Sequence, residues 1–558
     1  MIQERLIRLI TDAVASAAGE LGIHGDLPAP ELSPPKQTAH GDFTCNIAMG
    51  LAARVNLPPR TVAQAIADAL EPADFLERAE VAGPGFINLF LTNDWLHAVL
   101  TRVVNEGPGY GHAASNGLRA QVEFVSANPT GPLHVGHARN AVLGDALARL
   151  LEAAGWTVER EYYFNDAGRQ MDQFGLSLEA RYLEALGRDS QMPEDGYFGS
   201  YITDLANDIV REHGDRFADL AAEDRLTRVM AEGARRVLDQ IRATLDRFGV
   251  RFDVFFSEAE LARKGEIAAA EQRLRDNGYA YEAEGAVWFR STAFGDDKDR
   301  VIVRSTGAHT YFGADCAYLV DKFSRGFDRM VYVWGADHHG DVMRVKGAAE
   351  ALGLDPDAVE IVLYQFVSFL RGGEPVKMSK RTGTFISLDE LLDEVGADAA
   401  RFTLLQFSND SAMNFDIDVV KRQTMDNPVY YVQYGHARIA SIVRKAVAAG
   451  ITMGSLGDSD LSLLTSRPEL DLLRALADTP GLIANAAAQR APHRLTHAAV
   501  DLAATFHRFY TECRVLDPDE PALSLARLWL CTGTKQVIAN LLSIIGVSAP
   551  ASMERADG

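Results

Sequence analysis

With 558 residues, of which 47% are hydrophobic and 24% charged, the chain is long enough for about three domains, each with its own core. Its formal net charge of −22 alone argues against a nucleic-acid partner, but residues 430–558 contain twelve basic and twelve acidic side chains, a balance compatible with RNA held by local basic patches. The four cysteines have no Cys-x-x-Cys spacing, which indicates neither a disulfide framework nor a zinc knuckle and predicts a cytoplasmic location.

The first 112 residues are predicted to form a separate small α/β domain. Residues 1–23 alternate charged and apolar side chains at a helical period, which predicts an amphipathic helix rather than a signal peptide. A run with strand character follows at Val81 to Leu91, and the glycine- and proline-rich segment Glu106 to His112 predicts a linker. No run in the chain is long and apolar enough to span a bilayer, so no membrane partner is expected.

The next stretch predicts a strand, a tight loop and a helix. Val122 to Val125 is β-like, Pro129 to Pro132 forbids regular structure, and Val135 to Ala154 has apolar residues at helical spacing. Trp156 to Phe164 is again strand-like, so the stretch predicts a βαβ unit that opens a nucleotide-binding fold. Ligands of such folds bind beyond the carboxyl ends of the strands.

A His-x-Gly-His motif lies in that loop, at the mouth of the predicted helix. Gly136 allows a ligand to approach the backbone, and the imidazoles of His134 and His137 can donate hydrogen bonds to a phosphate oxygen or pack against a ribose. A helix N-terminus also favours anions. The motif predicts a phosphate-binding site, although in isolation two surface histidines or half of a metal site would show the same pattern.

Charged helical segments between about residues 185 and 285 predict a mostly helical, solvent-facing insertion. Strand-like runs follow it at Ala286 to Ser291, Arg300 to Arg304, Val331 to Trp334 and Ile361 to Leu370. Beyond Phe415 the chain is predicted to become helical, starting at Asn427, and its alanine- and leucine-rich helices predict a helical bundle.

A second motif, Val376-Lys-Met-Ser-Lys-Arg-Thr-Gly383, lies about 240 residues after the first. Lys377 and Lys380, between flexible glycines, predict a cationic loop that stabilises triphosphate charge as pyrophosphate leaves. Alone, such a basic pentamer is usually a solvated surface loop. The two motifs together resemble the signature motifs of class I aminoacyl-tRNA synthetases.

The first motif, Val122 to Asn140, is similar to its arginyl-tRNA synthetase form, and the likeness extends to His40 to Ala48, Gly83 to Leu91 and Asp426 to Arg444. This resemblance implies an α/β protein with a Rossmann-type parallel-sheet catalytic domain, an insertion, a small N-terminal α/β domain and a C-terminal all-helical domain. The implied boundaries are 1–112 for an N-terminal domain that contacts tRNA, 113–425 for the catalytic domain with its lysine-loop region 372–390, and 426–558 for an anticodon-binding domain.

Two acidic residues are candidates for substrate recognition. Glu123 and Asp315 would repel each other in one pocket unless a cation joined them, and a guanidinium would bond both. Tyr311 lies four residues before Asp315, on the same face if the segment is helical. By themselves, ordinary exposed acids are the commoner explanation. The resemblance implies that arginine is bound by Glu123, Ser126, Asn128, Tyr311 and Asp315.

The resemblance also implies the nucleotide contacts and the reaction. The implied ATP-binding residues are His134, Gly136, His137, Asp337, His338, Lys377, Met378, Ser379 and Lys380, with His134, His137, Lys377 and Lys380 catalytic. The implied reaction ligates L-arginine to tRNA(Arg) through an arginyl-adenylate and releases AMP and pyrophosphate. Because the arginine carboxylate is ionised at neutral pH, the first step needs no general base. Further expectations are Mg²⁺ carried by ATP without a dedicated protein metal site, activation that waits for tRNA, and a monomer.

Three alternatives stay open at this point. Small nucleotidyltransferases also use a His-x-Gly-His loop, but they are much shorter, and their reaction would not require the helical C-terminal part of this chain. A non-catalytic synthetase paralogue could bind RNA without charging it, against which the intact motifs argue. A synthetase for lysine or cysteine would be expected to bring zinc-type cysteines or a different first motif.

Overall fold

A computed structural model of the chain describes residues 2–33, 35, 40–376 and 386–553. The predicted lysine contacts Lys377 and Lys380, with Met378 and Ser379 between them, lie outside these described residues. The chain forms two compact units, one comprising Met1–Gly107, Ile442–Asp478 and Thr505–Gln536 and the other Pro108–Ser441, Thr479–Ala504 and Val537–Gly558. The domain boundaries near residues 112 and 425 stay predictions.

The N-terminal part of the first unit is a four-stranded antiparallel sheet with accompanying helices. Its elements are α1 Ile2–Leu21, β1 Leu32–Ser33, β2 Phe43–Cys45, α2 Ile47–Val55, α3 Pro59–Asp68, β3 Leu76–Ala82, β4 Phe86–Leu91 and α4 Asp94–Glu106. The strand order is β1-β2-β4-β3. The strand-like run at Val81 to Leu91 contains the end of β3 and all of β4, joined by a hairpin turn at which Gly83 and Gly85, both with positive φ, reverse the chain.

The second unit contains a five-stranded parallel sheet. Its elements up to the last strand of that sheet are β5 Arg119–Glu123, α5 Ala138–Ala153, β6 Thr157–Phe164, α6 Arg169–Ala185, α7 Ser200–His213, α8 Ala222–Arg247, β7 Val254–Ser257, α9 Glu258–Arg263, α10 Glu266–Asp276, β8 Ala280–Ala283, β9 Ala286–Phe289, β10 Arg300–Val303, α11 Tyr311–Ser324, β11 Arg329–Gly335, α12 Val342–Ala351 and β12 Val359–Tyr364. Read from β7 to β12, the strand order corresponds to 3-2-1-4-5, the first five strands of the doubly wound Rossmann order, and the winding direction reverses between β5 and β11. Ligands are therefore expected at the carboxyl ends of these two strands.

The region predicted as an insertion differs from the expectation in one respect. Helices α6 to α8 are present, but β7 pairs in parallel with β6 and so belongs to the main sheet. A strand of four residues is too short to show a period in the sequence. The strands predicted near residues 286 and 300 are β9 and β10, which join β8 in a separate antiparallel sheet.

The single strand predicted at Ile361 to Leu370 is two strands in different sheets. The chain continues after β12 as β13 Val367–Arg371, β14 Glu374–Pro375, α13 Leu388–Val395, α14 Ala397–Leu405, β15 Met413–Asp416 and α15 Ile417–Val420. Strand β13 pairs with β14 and β15. The break lies at Gln365, whose N–H donates to the Asn409 carbonyl at 2.8 Å and whose carbonyl accepts from Arg139 Nη1 at 2.7 Å. These bonds turn its backbone away from the parallel sheet.

The remaining chain is helical, as predicted. Its helices are α16 Pro428–Ala448, α17 Arg467–Ala488, α18 His493–Glu512 and α19 Pro521–Ile544. Among the helices that the structure describes, none has the length and apolar character needed to cross a membrane.

A hydrophobic core on one face of the parallel sheet holds the elements of the candidate site. It includes Ala317 and Leu319 of α11, Met330 of β11 and Ala348 of α12, each no more than 1% exposed. Because α11 packs along this core, the orientation of its remaining face is fixed relative to the strand ends.

Candidate active site

A cavity of about 760 Å³ opens at the carboxyl ends of β5 and β11. This volume lies in the usual range for small-molecule sites. Nine of the residues predicted to bind substrates line it, namely Glu123, Ser126, His134, Gly136, His137, Tyr311, Asp315, Asp337 and His338. The predicted acids and the predicted histidines therefore share one space, at the place where the winding of the sheet reverses.

The backbone at the end of β5 is strained. Val125 and Ser126 have φ angles of 65° and 45°, in the left-handed region that a β-branched residue rarely adopts, at a cost of about 1–3 kcal/mol each. Asn140 holds this turn, because its Oδ1 accepts from the Val125 N–H while its Nδ2 donates to the Val333 carbonyl at 2.9 Å. Asn140 thus links β5 to β11 at the cavity. It stands in the first motif, but its type and spacing alone did not predict this role.

Both motif histidines have the same tautomer. His134 Nδ1 accepts from the Gly136 N–H at 3.1 Å, and His137 Nδ1 accepts from the His134 N–H at 3.2 Å. A neutral imidazole that accepts at Nδ1 carries its proton on Nε2. Each ring is therefore a donor at Nε2, which is the chemistry that a phosphate oxygen requires. A Cβ at Gly136 would lie 2.8 Å from the His134 ring, so only glycine leaves this ring in place.

The chain that follows the lysine motif is bonded directly beside the histidine motif. Ile386 accepts a hydrogen bond from the Val135 N–H at 3.1 Å, and Leu388 donates to the Leu133 carbonyl at 2.9 Å. These two bonds flank His134 on either side. The segment that follows the lysine motif in sequence therefore lies beside the histidine motif.

Asp315 is the unpaired acid of the cavity. Helix α11 places it one turn after Tyr311, and both line the cavity, as the four-residue spacing predicted. Among the described residues, no hydrogen bond or ion pair reaches the Asp315 carboxylate. Burial, followed by the nearby charges of Glu258, Glu123 and Asp341, raises its pKa to about 7. A cation entering the cavity would find this carboxylate available.

Glu123 is not a free acid. Its Oε2 accepts from Lys322 Nζ at 2.6 Å, and its Oε1 accepts from the Ser126 hydroxyl at 3.1 Å. Lys322 is absent from the sequence-based predictions, since it lies 199 positions from its partner. A signal was nevertheless present, because Tyr311, Asp315, Tyr318 and Lys322 recur at intervals of four, three and four, which is one face of a helix.

Asn128 and the turn after β11 complete the set of predicted residues. Asn128 is not among the residues that line the cavity, since its Oδ1 accepts from the Asn165 N–H at 3.2 Å and its Nδ2 donates to Gln170 at 2.7 Å. Its role as an arginine contact stays a prediction. Asp337 and His338 lie on a 3₁₀ turn, with side chains 58% and 55% exposed. Aromatic and cationic lining residues that were not predicted are Tyr163, Phe312, Tyr318, Tyr332, Trp334, Arg344, Tyr364 and Phe366.

Models of known families match nearly the whole chain. The arginyl-tRNA synthetase N-terminal domain matches residues 4–91, the catalytic domain of class I tRNA synthetases of the arginine type matches residues 99–439, and the DALR anticodon-binding domain matches residues 432–553. The chain is 48% identical to the arginine–tRNA ligase of Moorella thermoacetica and 47% identical to that of Heliobacterium modesticaldum, in each case over 99% of this chain and 99% of the other.

The fold is also that of a solved structure. The arginyl-tRNA synthetase of Thermus thermophilus superimposes with a TM-score of 0.76 at 23% identity, covering 99% of this chain and 100% of that one. The catalytic-domain match spans more than half of the chain, and the identity to arginine–tRNA ligases extends over nearly all of it. The chain belongs to the arginyl-tRNA synthetase family.

Proposed function

We propose that the chain carries out its family's reaction, the ATP-dependent ligation of L-arginine to tRNA(Arg), in the cavity between β5 and β11. One observation carries the proposal: an unpaired carboxylate, Asp315, and two imidazoles that donate at Nε2, His134 and His137, line the same cavity. The carboxylate suits a guanidinium, and the imidazoles suit phosphate oxygens. The two substrates of the first step would thus meet there.

Arginine would bind with its guanidinium at Asp315, beside the exposed ring of Tyr311. Its α-carboxylate, already ionised at neutral pH, would then attack the α-phosphorus of ATP in line. A carboxylate oxygen forms a bond to phosphorus while the bond from phosphorus to the pyrophosphate oxygen breaks, which gives arginyl-adenylate. No group has to remove a proton, so positioning and charge stabilisation supply the rate.

ATP would bind with its phosphates toward His134 and His137, with the backbone at Gly136 approaching closely. Lys377 and Lys380, which lie outside the described residues, would stabilise the charge that grows on the departing pyrophosphate. Mg²⁺ would arrive as part of the ATP substrate. Among the residues that the structure describes, no group of three or more His, Cys, Asp or Glu side chains is arranged to hold a metal ion.

In the second step a hydroxyl of the terminal tRNA ribose, the 2′-OH by likeness to class I enzymes, would attack the carbonyl of arginyl-adenylate and release AMP. We assign tRNA contact to residues 1–112 and anticodon binding to residues 426–558, and we expect activation to require tRNA. The protein would act as a cytoplasmic monomer. The direct test offers total tRNA, ATP and each amino acid singly. Of the amino acids offered, only arginine should be esterified to tRNA. Charging with a different amino acid, or no charging at all, would contradict the proposal.

Replacing Gly136 by alanine should slow adenylate formation by about 10- to 100-fold, because the new methyl group would lie 2.8 Å from the His134 ring and displace it by a fraction of an ångström or more. ATP-dependent charging of tRNA measures the effect. The matched control is Gly481→Ala, at a position where a Cβ has no neighbour within 4 Å. Equal rates in the two variants would exclude a role for the His134 ring.

Arginine affinity should rise with pH until Asp315 is fully ionised. The guanidinium stays charged throughout, whereas the Asp315 pKa is raised to about 7, so the ligand-free carboxylate is mostly protonated at pH 6 and mostly ionised at pH 8. The dissociation constant should fall by up to about tenfold per pH unit below 7 and level off above 8. Calorimetric titration without ATP measures this profile. Asp315→Asn should remove the pH dependence of arginine affinity. A wild-type affinity that did not change between pH 6 and 8 would contradict the role of Asp315 in this dependence.

A further inference from the structure

Lys322 is a buried cation that pairs with Glu123, a residue of the cavity lining. Its side chain is 0% exposed, and its Nζ lies 2.6 Å from Glu123 Oε2. The ammonium also lies 3.7 Å from the centroid of the Tyr332 ring and 4.3 Å from that of Tyr318. Burying an ammonium is costly unless it is paired, so a residue that served packing alone would be apolar.

We propose that Lys322 is a positioning residue that neutralises Glu123, so that the cavity offers a single unpaired carboxylate, Asp315, to a substrate with one positive charge. This inference rests on the proposed function, since it concerns how arginine is recognised. Lys322 itself does not line the cavity and would act through Glu123.

The contacts of Glu123 show that its charge is already used. Lys322 bonds one carboxylate oxygen and the Ser126 hydroxyl bonds the other. The Ser126 hydroxyl is itself fixed, because it accepts from the Tyr163 N–H at 3.2 Å. Both acceptor atoms of Glu123 are therefore held on the protein side, whereas Asp315 has no such partner among the described residues.

The other charged side chains near Glu123 and Asp315 also have partners. Glu161 of β6 accepts from Arg325 at 2.5 and 3.0 Å and from the Tyr318 hydroxyl, and Arg325 also pairs with Asp321. Near Asp315, Arg344 pairs with Asp341, and Glu258 accepts from the Tyr163 hydroxyl at 2.6 Å. Burial raises the pKa of Glu258, which favours its neutral form, and Glu258 does not line the cavity. Burial lowers the pKa of Lys322, while Glu123 and Glu161 act in the opposite direction.

Removing the charge of Lys322 would leave the Glu123 carboxylate near that of Asp315 without the ammonium that now pairs with it. Two neighbouring carboxylates do not both ionise at the pH at which an isolated carboxylate would, because each negative charge raises the pKa of the other group. A bound guanidinium would lower these pKa values again, so that the proton shared by the two carboxylates would be released. In the wild type, arginine affinity stops rising at a certain pH. In Lys322→Met, it should therefore continue to rise to a pH at least one unit higher.

The test measures arginine binding by calorimetry from pH 6 to 9.5 in the full-length wild type, Lys322→Met and the double variant Lys322→Met with Glu123→Gln. The double variant removes both charges at once, a change that a buried pair tolerates better than loss of one partner, so it keeps the proposal testable if the single variant does not fold. It should return the flat part of the profile to the wild-type pH or below. Lys264→Met is the matched control, since Lys264 is an exposed lysine that pairs with Glu260 and is not among the residues that line the cavity.

Each outcome decides a separate point. If arginine affinity stopped rising at the same pH in Lys322→Met as in the wild type, Lys322 would be a structural residue only and the proposal would be overturned. A flat region above the wild-type pH in the double variant would also overturn it, since Glu123 would then not be the group that Lys322 neutralises. Failure of the wild type itself to bind arginine would contradict the proposed function instead.

Discussion

Replacing Asp315 by asparagine is expected to weaken arginine binding by about 30-fold or more, while ATP affinity stays within about twofold of wild type. Loss of one partner of a buried, hydrogen-bonded charge pair costs about 2–5 kcal/mol, and the guanidinium would be left facing a neutral amide. Asparagine keeps the shape of the side chain, so the cavity and its histidine side should be unaltered. Equilibrium titrations with arginine and with ATP, each alone, measure the two affinities.

The control for this variant lies on the same helix. Asp321 is six positions further along α11, forms an ion pair with Arg325 at 2.9 Å and does not line the cavity. Asp321→Asn should therefore leave arginine affinity nearly unchanged. If Asp315→Asn instead weakened both ligands equally, its carboxylate would hold the fold of the site rather than the substrate.

Replacing Lys380 by alanine is expected to slow product formation by about 100- to 1,000-fold while ATP binding weakens by no more than about threefold. The reason is that charge grows on the leaving pyrophosphate in the transition state, and a cation placed there stabilises the transition state more than the ground state. Single-turnover adenylate formation in the presence of tRNA gives the rate, and nucleotide titration gives the affinity.

The companion change for this lysine is Lys264→Ala, at an exposed position paired with Glu260. It removes the same charge and should leave the rate as in wild type. Should Lys380→Ala lower the rate and ATP affinity by the same factor, the lysine would contribute uniform binding only, and transition-state stabilisation would have to come from other groups.

Local chemistry explains which parts of the site the sequence could predict. His134, Gly136 and His137 act within four residues, so strand, loop and helix signals suffice to place them at a strand end. Tyr311 and Asp315 likewise share a face because of a spacing internal to α11. The residues that surround them come from distant segments. Lys322 of α11 meets Glu123 of β5 only through the tertiary fold, and no local pattern encodes that contact.

The same reasoning applies to the fold. The βαβ opening and the helical C-terminal segment follow from periodicity that extends over many residues. Strand β7 is four residues long and had no such signal. The break between β12 and β13 depends on Gln365, whose backbone is bonded by Arg139 and Asn409 from elsewhere in the chain. An apolar run therefore looked continuous although tertiary hydrogen bonds divide it.

The most direct test of the central claim, that arginine and ATP meet in one cavity, uses a stable mimic of arginyl-adenylate in which a sulfamoyl group replaces the phosphoryl group. Because one molecule would occupy both halves of the cavity, it should bind at least about 100-fold more tightly than arginine or ATP alone. Asp315→Asn and Gly136→Ala should each weaken it, one from each end. A mimic that bound no better than ATP, with affinity indifferent to Asp315→Asn, would show that the two sites are separate and would contradict the account.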